Sequence, residues 1–127
     1  MSPVKRSVAV LIRNGNRFLS TRRANDDDEL PGVWGLPAGT YRGSETLENL
    51  VTRIGREKLR VALIPVRRLA IGRQERERYV LEMELWEVEM SGTPRHPAWQ
   101  WAAREILELG ESQGSLCCQL ALQELKD

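Results

Sequence analysis

The residues best suited to chemistry lie close together, between Gly39 and Lys58. Glu45 follows Gly39 by six positions, and Arg53 and Glu57 come next on a segment with helical periodicity. Carboxylates supply the oxygen ligands that Mg2+ prefers, whereas guanidinium and ammonium groups bind phosphate oxygens. A glycine lets the backbone approach a ligand closely. The segment therefore suits a phosphate or metal site, although Arg53 and Glu57, four residues apart, also fit a plain surface ion pair.

The spacing of these residues resembles the signature of the Nudix hydrolase family, G-x5-E-x7-R-E-U-x-E-E-x-G-U, in which U is apolar. Gly39, Glu45 and Arg53 match its first half, and the pattern Pro-Gly-x-Trp-x-x-Pro-Ala-Gly ends at Gly39. The second half departs from the signature. Its three glutamates and its closing glycine fall on Ile54, Glu57, Lys58 and Arg60.

Nudix hydrolases cleave the pyrophosphate of a nucleoside diphosphate linked to another group. The resemblance implies a nucleoside diphosphate derivative or another small pyrophosphate as the ligand, with Mg2+ or Mn2+ as the cofactor. It makes Glu57 the catalytic and metal-binding residue, and it makes Glu45 and Arg53 a structural pair that ties the loop to the helix. The substrate-binding residues that it implies are Arg22, Arg23 and Gly39. Lys58 is a further substrate-binding candidate, although the family has a glutamate at its position.

The metal site is where the chain departs most from the family. The four positions that carry carboxylates in the family hold Ile54, Glu57, Lys58 and, in a weaker alignment, Gln100. Their formal charges cancel to zero, where the family arrangement has −4. A lysine ammonium ~4 Å from a divalent cation would cost roughly 8 kcal/mol at an effective dielectric constant near 20.

Two interpretations of these substitutions stay open. In one, metal-dependent hydrolysis is weak or absent, and the fold serves as a module that binds a nucleotide or a protein partner. In the other, Lys58 meets the phosphates directly and takes over part of the role of the cation. Replacement carboxylates are a further alternative, although a charged turn and an exposed strand face explain them better; they are Glu75, Glu77, Glu82 and Glu84.

Apolar periodicity and turn residues predict an α/β fold, and the resemblance predicts an α/β/α sandwich with a mixed central sheet. A hairpin at Asn14-Gly15 joins two strands, and a helix is predicted over residues 45–59. An acidic loop is expected over Asn25–Glu29, and a final helix over Ser115–Lys126. The apolar phase shifts at Trp86, which predicts a β-bulge there. Gly55 is expected to cost the helix ~1 kcal/mol against alanine, and Arg60 to require a rebuilt helix end.

Length and composition limit the classes of function. At 127 residues the chain is expected to form one domain, 1–127. It lacks a run of ~20 apolar residues and a signal peptide, so a cytoplasmic protein with no membrane partner is expected. A net charge of +1 and the lack of an aromatic-basic repeat argue against a nucleic-acid partner. Since many Nudix proteins are dimers, the resemblance also suggests a homodimer.

Overall fold

The computed structural model describes residues 3–27 and 30–125. Asp28 and Glu29 of the predicted acidic loop, and Lys126 of the predicted last helix, lie outside these ranges. The first part of the described chain contains β1 (Val4–Leu11), β2 (Arg13–Asn14), β3 (Arg17–Arg22), β4 (Trp34–Gly35), β5 (Ala38–Thr40) and α1 (Leu47–Ile54). A π-helical turn (Gly55–Leu59) follows, and then β6 (Ala62–Glu75), β7 (Val80–Ser91), β8 (Trp99–Ala102), α2 (Arg104–Ser112) and α3 (Leu116–Glu124).

The main sheet is mixed, as predicted. Its strand order is β5-β1-β7-β6, in which β1 runs parallel to β7 and the other pairs are antiparallel. A second, smaller sheet is built around β3, which pairs with β2, β4 and β8. The predicted hairpin at Asn14-Gly15 is confirmed, and Gly15 has the positive φ that this turn needs. Ala38 and Gly39 pair with Ala9 and Val8 as part of the short strand β5.

The main sheet is covered on both faces, which gives the α/β/α sandwich. On one face α1 packs through Leu50, Val51 and Ile54 against the even-numbered residues of β1. On the other face α3 and α2 cover the odd-numbered residues, among them Ala9 and Leu11. Each face of a strand needs its own apolar set in this arrangement, so the second half of β1, residues 8–11, is a continuous apolar run.

The predicted bulge at Trp86 is wrong. Leu81 and Leu85 lie in the core under α3, whereas Trp86 and Val88 pack with the core under α1. The apolar residues are odd-numbered in the first half of β7 and even-numbered in the second half, because the two halves are buried on opposite faces of the sheet. The side chains themselves alternate regularly along the whole strand. The register shifts lie in the partner strand β6, one of them just after Pro65 and the other opposite Trp86 and Leu85.

Helix α1 begins later than predicted and continues into the π-helical turn. Thr46 caps it by accepting a hydrogen bond from the backbone N–H of Asn49. The predicted rebuilding at Arg60 is wrong, because Arg60 itself adopts the left-handed conformation with φ +55°. The expectation that Gly55 destabilises the protein relative to alanine is also wrong. A Cβ at this position would lie 2.7 Å from the carbonyl oxygen of Val61, so the tight packing requires a glycine.

The predicted helices near the C-terminus are present as α2 and α3, with the Ser115 hydroxyl capping α3. Within residues 3–27 and 30–125, no helix has both the length and the apolar character that crossing a bilayer demands.

Candidate functional site

The loop that contains Gly39 lies directly on α1. A Cβ at Gly39 would approach Ile54 to 3.0 Å and Leu50 to 3.2 Å, so a larger residue would push the loop away from the helix. Ile54 is only 1% exposed as a result of this contact. The three residues aligned with the family glutamates therefore do not share one surface: Ile54 is buried, whereas Glu57 and Lys58 line the cavity described below.

Arg53 ties the loop to the helix. Its Nε and Nη2 donate hydrogen bonds of 2.8 Å to the two carboxylate oxygens of Glu45, and Nη2 also donates to the carbonyl of Thr40 at 2.6 Å. The backbone N–H of Arg42 donates to the same carboxylate. These hydrogen bonds, first of all those from Arg53, lower the pKa of Glu45 from its usual 4.5 to about 2. The pKa of Arg53 is raised in return, chiefly by Glu45.

Glu57 lies on the π-helical turn and is 39% exposed. Three guanidinium groups surround its carboxylate: Arg42 and Arg53 at 3.5 Å each, and Arg56 at 4.0 Å. Lys58 follows on the same turn, and its side chain makes no hydrogen bond or ion pair with any other described residue. The positions that carry carboxylates in the family are therefore surrounded by positively charged side chains here.

A cavity of about 380 Å³ opens beside this turn and the Gly39 loop. Among the described residues its lining includes Glu57 as the only carboxylate. The basic residues of the lining are Lys5, Arg23, Arg42, Arg53, Lys58 and Arg76. Its apolar wall is formed by side chains of the loop before β5, of β7 and of α3, namely Leu30, Val33, Leu36, Tyr79, Leu81, Met83 and Leu116. The cavity therefore combines a cationic wall with an apolar one.

Of the two arginines predicted at the end of β3, the structure brings one to the cavity. Arg23 lines it, with its guanidinium 3.5 Å from Asp27. Arg22 donates instead to the side chain of Asn25 and to the carbonyl of Gly32, and it does not line the cavity. The two side chains diverge because successive residues of a strand point to opposite faces.

Sequence reasoning missed several residues of the cavity. Lys5 and Arg76 come from the ends of β1 and β6, and only the sheet topology brings them to the site. Cys117 also lines the cavity, at the start of α3, with its sulfur 3.2 Å from the Ser115 hydroxyl. The Ser-x-Cys spacing at a helix start is the one signal that could have indicated it.

The residues present do not fit a divalent cation. Octahedral Mg2+ prefers several oxygen ligands, but the described residues contain no group of three or more His, Cys, Asp or Glu placed to hold a metal ion. Glu82 is engaged by Arg73 at 2.8 Å and Glu84 by Arg68 at 3.5 Å, and neither lines the cavity. Gln100 pairs with Ser20 in the second sheet and is also absent from the lining.

No family model matches the chain, and no curated protein matches it in sequence. Solved structures do match. The MutT Nudix hydrolase from Burkholderia pseudomallei has a TM-score of 0.79 at 23% identity, covering 97% of this chain and 98% of that one. The E. coli ORF135 protein has a TM-score of 0.75 at 22% identity, covering 96% and 92%. The MutT protein from Methanosarcina mazei Go1 has a TM-score of 0.70 at 24% identity, covering 84% and 81%. The chain therefore has the Nudix hydrolase fold.

Proposed function

We propose that this chain is a Nudix hydrolase family protein that binds a nucleoside diphosphate derivative, or another small pyrophosphate, in the cavity beside Gly39 and Glu57. Metal-dependent hydrolysis is weak or absent. The observation that carries the proposal is the charge of the cavity, whose described lining has six basic residues and one carboxylate. A pyrophosphate is a compact and strongly charged anion, and guanidinium groups match the geometry of its oxygens.

Electrostatics favours an anion over a cation at this place. Two unit charges 4 Å apart interact by about 4 kcal/mol at an effective dielectric constant of 20. Part of the positive charge is already compensated, since Glu45 neutralises Arg53 and Asp27 lies near Arg23. The remaining basic groups still outnumber Glu57, so an incoming phosphate meets net positive charge.

The shape of the cavity supports a ligand with two unlike ends. The Gly39 loop and the π-helical turn present the charged groups, which suit the diphosphate. The apolar wall, which includes Leu36, Met83 and Leu116, suits the base or another group linked to it. Ser7, Thr40 and Ser115 also line the cavity and offer hydroxyl groups for orientation.

The catalytic role that the resemblance gives to Glu57 is the weakest part of the family likeness. Its carboxylate is occupied by three arginines, and no second carboxylate of the described residues lines the cavity. This observation favours the alternative function, a catalytically inactive module that binds a nucleotide or a protein partner. A nucleotide-binding module would differ from the proposed protein only in turnover.

The experiment has two measurements. Thermal unfolding with a panel of nucleoside diphosphate derivatives detects binding, since a ligand at 100 times its Kd stabilises the folded state by roughly 2.7 kcal/mol. Release of phosphate or nucleoside monophosphate with Mg2+ or Mn2+ detects hydrolysis. We expect stabilisation with little or no turnover. Failure of every pyrophosphate compound to raise the Tm contradicts the proposal, and rapid turnover that Glu57→Gln abolishes contradicts its second part.

A further inference from the structure

We propose that the side chains of Lys58 and Arg42 bind the diphosphate directly and that no divalent cation is needed for the ligand to bind. This inference rests on the proposed function, because it concerns the same cavity. It starts from the misfit between the lining and a metal ion: basic residues stand where an acidic cage would be required.

Lys58 is in position to act as a fixed positive charge. It lines the cavity beside Glu57, and no described residue accepts a hydrogen bond from it. A lysine ammonium group has three N–H donors and prefers several acceptors. An ammonium group at a cavity wall that has no acceptor therefore favours the binding of an anion. Lysine binds phosphate as a compact charge without the planar geometry that arginine imposes.

Arg42 supplies a second cation that can move. Its side chain is 67% exposed, and its guanidinium has only the 3.5 Å contact to Glu57 among the described residues. This contact is long for a charge-assisted hydrogen bond, which is usually 2.7–2.9 Å. Exchanging it for phosphate oxygens would therefore cost little.

Glu57 has a different role in this arrangement. It lies close to Arg42, Arg53 and Arg56, so it holds the guanidinium groups near the cavity when no ligand is bound. Arg53 cannot follow a ligand, because Glu45 and Thr40 fix it at 2.8 Å or less. Of the lining residues Arg42, Arg53 and Lys58, it is therefore Arg42 and Lys58 that can move towards a ligand.

The test is calorimetric titration with inorganic pyrophosphate and with ADP, in EDTA and then in excess Mg2+. We expect binding in EDTA with a Kd no weaker than that in Mg2+, and a steep loss of affinity as salt is raised. Binding that appears only with Mg2+ or Mn2+ overturns this inference and leaves the proposed function standing. Failure of these two probes to bind in either condition overturns the inference, and the nucleotide panel then decides the proposed function separately.

Variants locate the binding groups. Lys58→Ala and Arg42→Ala should each weaken binding in EDTA by about tenfold or more, which is the scale of one charge-assisted hydrogen bond. Arg56→Ala is the matched control, because Arg56 also contacts Glu57 but does not line the cavity, and its Kd should stay within about twofold. All three side chains are exposed, so the Tm should change little. Unchanged affinity in both Lys58→Ala and Arg42→Ala overturns the inference.

Discussion

The guanidinium of Arg53 holds the carboxylate of Glu45 with two hydrogen bonds of 2.8 Å and lies 3.5 Å from the carboxylate of Glu57. A side chain only 9% exposed thus connects the loop before α1 to the only carboxylate of the described cavity lining. The position of this loop and the charge at the cavity therefore both depend on Arg53. A lysine could not replace Arg53, since an ammonium group cannot donate two parallel hydrogen bonds to a carboxylate as a planar guanidinium does.

Glu45 should give the protein a distinct loss of stability in acid. Because the pKa of Glu45 falls from 4.5 to about 2 on folding, its stabilising contribution is complete above pH 4.5 and disappears as the pH falls towards 2. Glu45→Gln should lower the urea midpoint at pH 7 and should flatten the fall in stability between pH 4.5 and 2. Parallel pH profiles of the two proteins would contradict the role of this ion pair.

Gly55→Ala should destabilise the protein despite the better helix propensity of alanine. The new Cβ would lie 2.7 Å from the Val61 carbonyl oxygen and 2.8 Å from Leu63, and overpacking of this kind costs about 1–3 kcal/mol. Urea unfolding measures the change. Thr52→Ala, at an exposed position of α1, is the control and should stay within about 0.5 kcal/mol. A more stable Gly55→Ala variant would show that the helix end can move away from Val61.

Arg60→Gly should stabilise the protein by about 1 kcal/mol, because arginine pays for a left-handed conformation that glycine adopts freely. Arg56→Gly tests whether this gain is specific to that conformation. Arg56 is exposed and helical, so glycine there should instead cost about 1 kcal/mol. Chemical unfolding of both variants gives the comparison, and a loss of stability in Arg60→Gly would refute the prediction.

Cys117 should react with iodoacetamide faster than Cys118 near neutral pH. The pKa of Cys117 is lowered, first by a hydrogen bond from the Cys118 thiol and further by Ser115, whereas the Cys117 interaction and burial raise the pKa of Cys118. A larger thiolate fraction at the cavity wall means faster alkylation. Mass spectrometry of a time course identifies the site. A bound pyrophosphate compound should slow the reaction, and preferential labelling of Cys118 would contradict the assignment.

Lys58→Glu should convert part of the anion site into a cation site. Two adjacent carboxylates on the π-helical turn would replace a pair whose charges cancel, so Mn2+ affinity should rise by about tenfold or more. Calorimetry with Mn2+ measures this, and Lys58→Gln separates loss of positive charge from gain of a ligand. Equal Mn2+ affinity in the two variants would mean that residue 58 does not point to the cavity. Ile54→Glu is unsuitable for this purpose, because it would bury a carboxylate beneath Gly39.

The parts of the fold that sequence reasoning predicted correctly depend on local chemistry. The hairpin at Asn14-Gly15 and the start of the final helix near Ser115 each follow from a few adjacent residues. The two-faced burial of β7 could not be read in this way. Its pattern depends on which helix covers each half of the strand, and that is decided by packing between elements distant in sequence.

The site was predictable in position but not in charge. Motif spacing located Gly39, Glu45 and Glu57, because one loop and one helix carry all three. The guanidinium of Arg42 reaches Glu57 only because the loop folds back over the helix, with Gly43 at a positive φ of 56°. Lys5 and Arg76 line the cavity because of the order of the strands in the main sheet. No local sequence pattern predicts that order.

The parallel pairing of β1 with β7 has a consequence for how the chain reaches its native state. Val4 lies opposite Val80 and Leu11 opposite Glu87, so the two central strands of the main sheet are separated by most of the polypeptide. During synthesis β1 can pair with the short strand β5, but its parallel partner β7 leaves the ribosome only much later. High contact order of this kind slows folding. We expect β1 to be a segment that chaperones bind before β7 is available.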